Sequence, residues 1–157
     1  MVKKNIILFL LPLFLISCAT VPPPVYREMR RIHLGKFVNN TYEAGLSSLL
    51  REKLVELAPQ WGIRIGEGGE TLEGIIDEVD YTPLLYDEER RIKGVRVYLR
   101  LRVELREGGR SIWQKNLDVS TVYFQEEGKE KGLERVTEKA VRRIFLYLRN
   151  EGTGRKS

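Results

Sequence analysis

Cys18 is the only cysteine of the chain, and it closes the run Leu15-Ile16-Ser17-Cys18 at the end of a short hydrophobic stretch. Lys3 and Lys4 come first, then the apolar segment Ile6 to Ile16, then the small residue Ser17; this order is that of a secretory signal. The apolar part is about half of the roughly 20 residues that a helix needs to cross a bilayer. A thiol placed directly after the small residue is the pattern of a lipobox. There the sulfur takes a diacylglycerol through a thioether, the signal is cut before the cysteine, and the freed amino group is acylated. The plainer alternative is a secretory signal that happens to contain a cysteine, which leaves an exported thiol without a disulfide partner. Two or three acyl chains anchor stably where one is marginal, because each buried methylene contributes about 0.8 kcal/mol. Residues 1–17 are therefore expected to be removed, and the mature chain to begin at lipidated Cys18.

No other residue set has catalytic spacing. His33 is the only histidine, so a Ser-His-Asp or Cys-His arrangement has a single candidate base, on a predicted strand. With the cysteine committed to lipid, no cysteine-rich zinc site remains. Gly66-Glu67-Gly68-Gly69 lacks the Lys-Ser/Thr of a phosphate loop and reads as a turn. Asp87-Glu88-Glu89 and Glu126-Glu127 stand beside basic residues, as solvated surface does. The expectation is a protein that is not an enzyme, with no cofactor and no metal.

The chain has 27 Lys+Arg against 22 Asp+Glu; two lysines leave with the signal, so the mature excess is small. Together with export, that argues against nucleic acid and is compatible with an acidic glycolipid. Ala19 follows the cysteine, and the absence of aspartate there fits sorting to the outer membrane. Val21-Pro22-Pro23-Pro24-Val25 favours an extended form, either a spacer or a leader with no mechanical role. Residues 18–29 are thus the tether, 30–150 a single domain, and 151–157 a disordered tail.

Within that domain the apolar periodicity predicts six elements. A first strand, Arg30 to Val38, places Ile32, Leu34, Lys36 and Val38 on one side and His33 and Phe37 on the other. Asn39-Asn40-Thr41 turns the chain and caps a helix that begins near Tyr42, with Leu46, Leu49, Leu50, Leu54 and Leu57 at helical spacing. A second strand runs from Thr71 to about Tyr81 and closes at Pro83, and Leu84 to Gly94 is a loop. Val95, Val97, Leu99, Leu101, Val103 and Leu105 then alternate with Arg96, Tyr98, Arg100, Arg102, Glu104 and Arg106, a strand with one buried face and one wet face. Gly108-Gly109 makes a tight turn into Ser111 to Phe124. Lys129 to Asn150 is a helix striped by Leu133, Val136, Ala140, Val141, Ile144 and Leu148, stopped by Gly152. The fold class is α/β (α+β), a two-layer sandwich in the order β-α-β-β-β-α. A four-stranded mixed sheet carries two helices on one face and leaves an arginine-rich face bare.

In this order the pieces resemble the lipopolysaccharide-assembly lipoprotein family, LptE. The resemblance rests on the lipobox, Phe37-Val38-Asn39-Asn40-Thr41 between strand and helix, and Leu72-x-Gly74-x-Ile76 leading to Tyr81-x-Pro83. The alternating strand, the glycine turn, Trp113, and Ala140, Ile144 and Leu148 on the last helix complete it. It implies an assembly lipoprotein of the outer membrane, facing the periplasm or a barrel lumen. Its partner would be a large outer-membrane β-barrel of the LptD type, which it plugs while lipopolysaccharide passes to the outer leaflet. Some members bind lipopolysaccharide through basic residues near loop ends. The candidates for such contacts are Arg90, Arg91 and Lys93, then Lys129 and Lys131, whose guanidinium and ammonium groups suit phosphates and carboxylates. The plainer reading pairs them with Asp87, Glu88, Glu89, Glu126 and Glu127. Arg96, Arg100 and Arg102, with Tyr98 and Tyr123, are candidate partner contacts; the arginines otherwise read as the solvated side of a one-sided sheet that resists aggregation. A rival reading is a lipoprotein activator of peptidoglycan synthases. It would need a long spacer, whereas Ala19 to Arg27 spans at most about 28 Å.

Overall fold

A computed structural model describes residues 29–154, with side chains as far as Asn150. The signal, Cys18 and the tether up to Glu28 lie outside the described residues. Five strands and two helices follow in chain order: β1 (Arg30–Asn39), α1 (Leu46–Leu57), a 3-10 turn (Ala58–Trp61), β2 (Ile63–Ile65), β3 (Glu70–Tyr86), β4 (Ile92–Glu107), β5 (Arg110–Phe124), a second 3-10 turn (Gln125–Glu127) and α2 (Lys129–Gly154). The sheet order is β2-β1-β3-β4-β5. β1 pairs in parallel with both β2 and β3, while β3-β4 and β4-β5 are antiparallel.

The α+β class and the two-helix layer are as expected; the sheet has five strands instead of four. Ile63–Ile65, just ahead of the glycine turn, is a short edge strand in register with Arg30–Ile32. Three residues carry no periodicity of their own, so only the pairing makes them a strand. β1 also differs. An extra residue between Leu34 and Phe37 bulges the ladder, which reverses the alternation from that point. Phe37 therefore turns inward against Gly74, where a Cβ would lie 2.9 Å from its ring, and Lys36 turns outward.

Two further boundaries move. Asn39-Asn40-Thr41 turns the chain, with Thr41 N donating to Asn39 Oδ1 (3.1 Å) and Asn39 Nδ2 to the Glu43 carbonyl (2.7 Å). It does not cap the helix, which starts at Leu46 behind Gly45, a left-handed residue (φ 78°). β3 continues through Pro83 to Tyr86 and reduces the expected loop to residues 87–91. α2 passes Gly152 and reaches Gly154, so 151–154 are helix and not tail; one glycine costs a helix only about 1 kcal/mol.

The covered face is mainly apolar. Leu72, Ile76, Leu99, Leu101, Leu105 and Leu117 from the strands meet Leu50, Leu54, Val136, Ile144 and Phe145 from the helices, all within 1 % of complete burial. Each such side chain contributes about 1.5–3 kcal/mol by leaving water. At the far edge, α2 reaches around β5: Lys139 Nζ donates to the Ser120 carbonyl (2.8 Å) and Arg143 Nη1 to the Asp118 carbonyl (2.7 Å). Arg51 does the same for Gly35 on β1 (2.6 Å).

Candidate functional site

The other face of the sheet is bare, and the alternation of β4 decides what stands on it: Tyr98, Arg100 and Arg102, with Arg96 toward the β3-β4 tip. β3 and β5 bring carboxylates alongside, because antiparallel partners share a face. Arg102 makes a two-pronged pair with Asp77 (Nε–Oδ2 2.8 Å, Nη2–Oδ1 2.9 Å). Asp77 faces outward by the alternation of β3, and a register shift between Ile76 and Glu78 turns Glu78 out beside it. Arg100 bridges Glu78 (3.0 Å) and Asp118 (2.9 Å), and its guanidinium lies 5.5 Å from the Tyr98 ring centre. The Tyr98 hydroxyl donates to Asp118. Hydrogen bonds from Tyr98 and Arg100 hold the Asp118 carboxyl below its usual range, and Arg102 does so for Asp77. The same Asp118 carboxylate pushes the Tyr98 phenol up. The middle of the arginine comb is thus neutralised from within. Arg96 alone of the candidate arginines on β4 makes no ion pair among the described residues.

Toward the β3-β4 tip the face changes character. Leu85 lies over Gly94, where a Cβ would come within 2.9 Å of it, and Phe124 is the partner of Gly94 on β5. Leu85, Tyr86, Ile92, Val122 and Phe124 are all exposed, Tyr86 by 57 % and Phe124 by 49 %. Arg91, Ile92 and Lys93 line an open groove of ≈ 400 Å³ with Phe124, Gln125 and Glu126. Arg91 is tied to Asp87 (2.8 Å) and Glu89 (3.0 Å). Asp87 also accepts the Glu89 and Arg91 amides, which with Arg91 lower its carboxyl range. Arg90, held at φ 61°, and Lys93 make no ion pair among the described residues. Of the three expected cations, one is thus neutralised and two are not, and they stand beside an apolar patch that no local sequence pattern announces.

Lys129 and Lys131 do not join them. Lys129 pairs with Glu43, which is 8 % exposed, and sits 4.8 Å from the Tyr81 ring centre; Lys131 pairs with Glu134 (2.8 Å). Tyr123, expected as a surface contact, is 7 % exposed and packs on Gly132 of α2. It shares the parity of Trp113, Leu117 and Val119, and that parity points under the helices. Among the described residues, no group of three or more His, Cys, Asp or Glu could hold a metal ion, and no helix is long and apolar enough to cross a membrane.

No protein-family model matches the sequence, and no curated protein does. Solved structures do match. A Caulobacter crescentus CB15 protein described as a lipoprotein aligns over 80 % of this chain and 93 % of its own, at 20 % identity and a TM-score of 0.59. Rare lipoprotein B from Shewanella oneidensis aligns over 80 % and 99 %, at 12 % identity and 0.52. A minor lipoprotein from Acinetobacter baumannii aligns over 76 % and 92 %, at 12 % identity and 0.53. At these identities the likeness is one of fold.

Proposed function

We propose that the chain is an acylated lipoprotein of the outer membrane that works by binding, without catalytic turnover. In this reading its bare sheet face seats against a large β-barrel of the LptD type, and its β3-β4 tip meets lipopolysaccharide during assembly of the outer leaflet. The observation that carries the reading is the tip. Arg90, Lys93 and Arg96, which make no ion pair among the described residues, stand at the same end of the sheet as the exposed Leu85, Tyr86, Ile92 and Phe124. Lipopolysaccharide offers the complement, phosphates beside acyl chains. The lipobox and the fold held in common with bacterial lipoproteins, rare lipoprotein B among them, support the same reading. The neutralised Arg100–Arg102 region fits a polar wall, since its charges need no new partner on docking.

The test is a detergent pull-down of the tagged, acylated protein from its native membranes with mass spectrometry of what accompanies it. A large outer-membrane β-barrel in near-equal amount is the expected result, with lipopolysaccharide reduced in the complex of an R90Q/K93Q/F124S variant. A peptidoglycan synthase in place of the barrel would sink the proposal in favour of its rival.

A further inference from the structure

The opposite end of the bare face holds a second cationic feature, which the tip reading does not use. β1 and β2 run in parallel with Arg31 directly beside Arg64. Neighbouring strands lie about 4.8 Å apart, and like charges directly opposite each other destabilise a sheet. Along the middle of this face the arginines are matched: Arg100 by two carboxylates, Arg102 by Asp77, Arg106 by Glu73 and Glu104. Arg31 and Arg64 are both exposed, and neither makes an ion pair among the described residues. Even their neighbour Arg30 is spoken for, by Glu70.

The pair borders a groove of ≈ 240 Å³ completed by Ile65, Gly66 and Glu67. The glycine loop allows the groove to stay open. Gly69 lies so close to β1 that a Cβ would come within 2.6 Å of the Arg31 carbonyl, so no side chain covers the guanidinium stems there.

The place of the pair in the chain points the same way. Arg31 lies two residues beyond Met29, where the described chain begins, and β2 together with the 66–69 loop surrounds that same end of the sheet. The tip lies at the other end, about 50 Å away along β3. From Cys18 to Arg31 the chain spans at most about 45 Å. An acylated Cys18 therefore attaches the domain to the lipid surface through this end, within that reach.

We infer that Arg31 and Arg64 form a headgroup dock, in which the phosphates of an anionic phospholipid bilayer supply the negative charge that the sheet does not. The inference rests on acylation at Cys18 for its geometry. Docked this way, the domain stands with its base on the membrane and its tip directed away, so the tether sets reach and the arginine pair sets orientation. Two guanidiniums on adjacent strands suit phosphate through paired N–H donors, and the attraction weakens with salt because the groups are exposed.

The experiment uses the mature polypeptide made without its signal, so that Cys18 carries no lipid. Its hydrophobic core is drawn from residues 32–148, so it folds without the anchor. Co-sedimentation is measured with phosphatidylcholine vesicles, with and without phosphatidylglycerol, for the unaltered chain, for R31Q/R64Q and for R142Q, at an exposed arginine of α2 outside both cationic ends. Binding should need phosphatidylglycerol and decline with salt. Each arginine is worth about fivefold and the pair about thirtyfold near such a surface, so R31Q/R64Q should lose that factor while its circular dichroism is unchanged. R142Q should retain most of the binding. No phosphatidylglycerol-dependent binding, or binding that R31Q/R64Q leaves intact, overturns the dock. The mass of Cys18-containing peptide from native membranes tests acylation separately, so failure of the anchor is told apart from failure of the dock.

Discussion

The two faces of this sheet are made by alternate residues of the same strands, yet they are held by different forces. On the covered face Leu99, Leu101 and Leu105 are buried to within 1 % against the helices, and any lost volume leaves a void. On the bare face Arg100 and Arg102 stand in water between carboxylates, where ion pairs add little to stability. The covered face therefore keeps the fold, and the bare face is free to change composition along its length. It goes from the unmatched Arg31–Arg64 end, through a neutralised middle, to an apolar tip. Stability and recognition are separated by a single step along the chain.

The largest break in this comparison is expected from Phe145→Ala on the covered side, which should cost about 3–5 kcal/mol in denaturant unfolding. Gly132→Ala comes next: the new Cβ would lie 2.3 Å from the Tyr123 ring, and overpacking of this kind costs about 1–3 kcal/mol. Thr137 sharpens the contrast from the other direction. Its hydroxyl is fully buried and unpartnered in α2, so Thr137→Val should raise stability by about 1 kcal/mol. On the bare face Arg102→Gln should move the melting temperature by less than about 2 °C, a result that a midpoint comparable to that of Phe145→Ala would refute.

The smallest effect is read with pH. Arg102 lowers the Asp77 carboxyl from its ordinary 3.8. Its contribution is present above the unfolded value and is lost as pH falls through the lower folded value. Asp77→Asn should lower the melting temperature slightly at neutral pH, coincide with the unaltered chain in strong acid, and so flatten the curve below about pH 4.

What can be read from the sequence is whatever repeats locally. Six apolar residues at period two in β4, the Gly108-Gly109 turn and the leucines of α1 each announce their element without reference to distant residues. What cannot be read depends on pairing. β2 is a strand because Arg30–Ile32 runs beside it, Phe37 changes sides because of one extra residue, and the expected arginine comb is neutralised because pairing sets Asp77, Glu78 and Asp118 beside it, Glu78 through a bulge. The candidate site divides in the same way. Arg90 in the 87–91 loop and Lys93 at the start of β4 make no ion pair among the described residues, whereas Arg91 and Lys131 are consumed by carboxylates nearby in sequence. Arg31 and Arg64 carry no local signal because their proximity exists only in the β1-β2 register. Tyr123 is the exception, since its parity with Trp113 and Leu117 already places it under α2.

Lys139 and Arg143 have a consequence for the chain in company. β5 ends the sheet with a strand of 15 residues, long enough to template the addition of a stranger. The two cations of α2 take up the Ser120 and Asp118 carbonyls in its middle, so an incoming strand would find its acceptors engaged and a pair of charges to desolvate. Such a molecule can wait at high local density, before any partner arrives, without its longest free edge seeding a fibre.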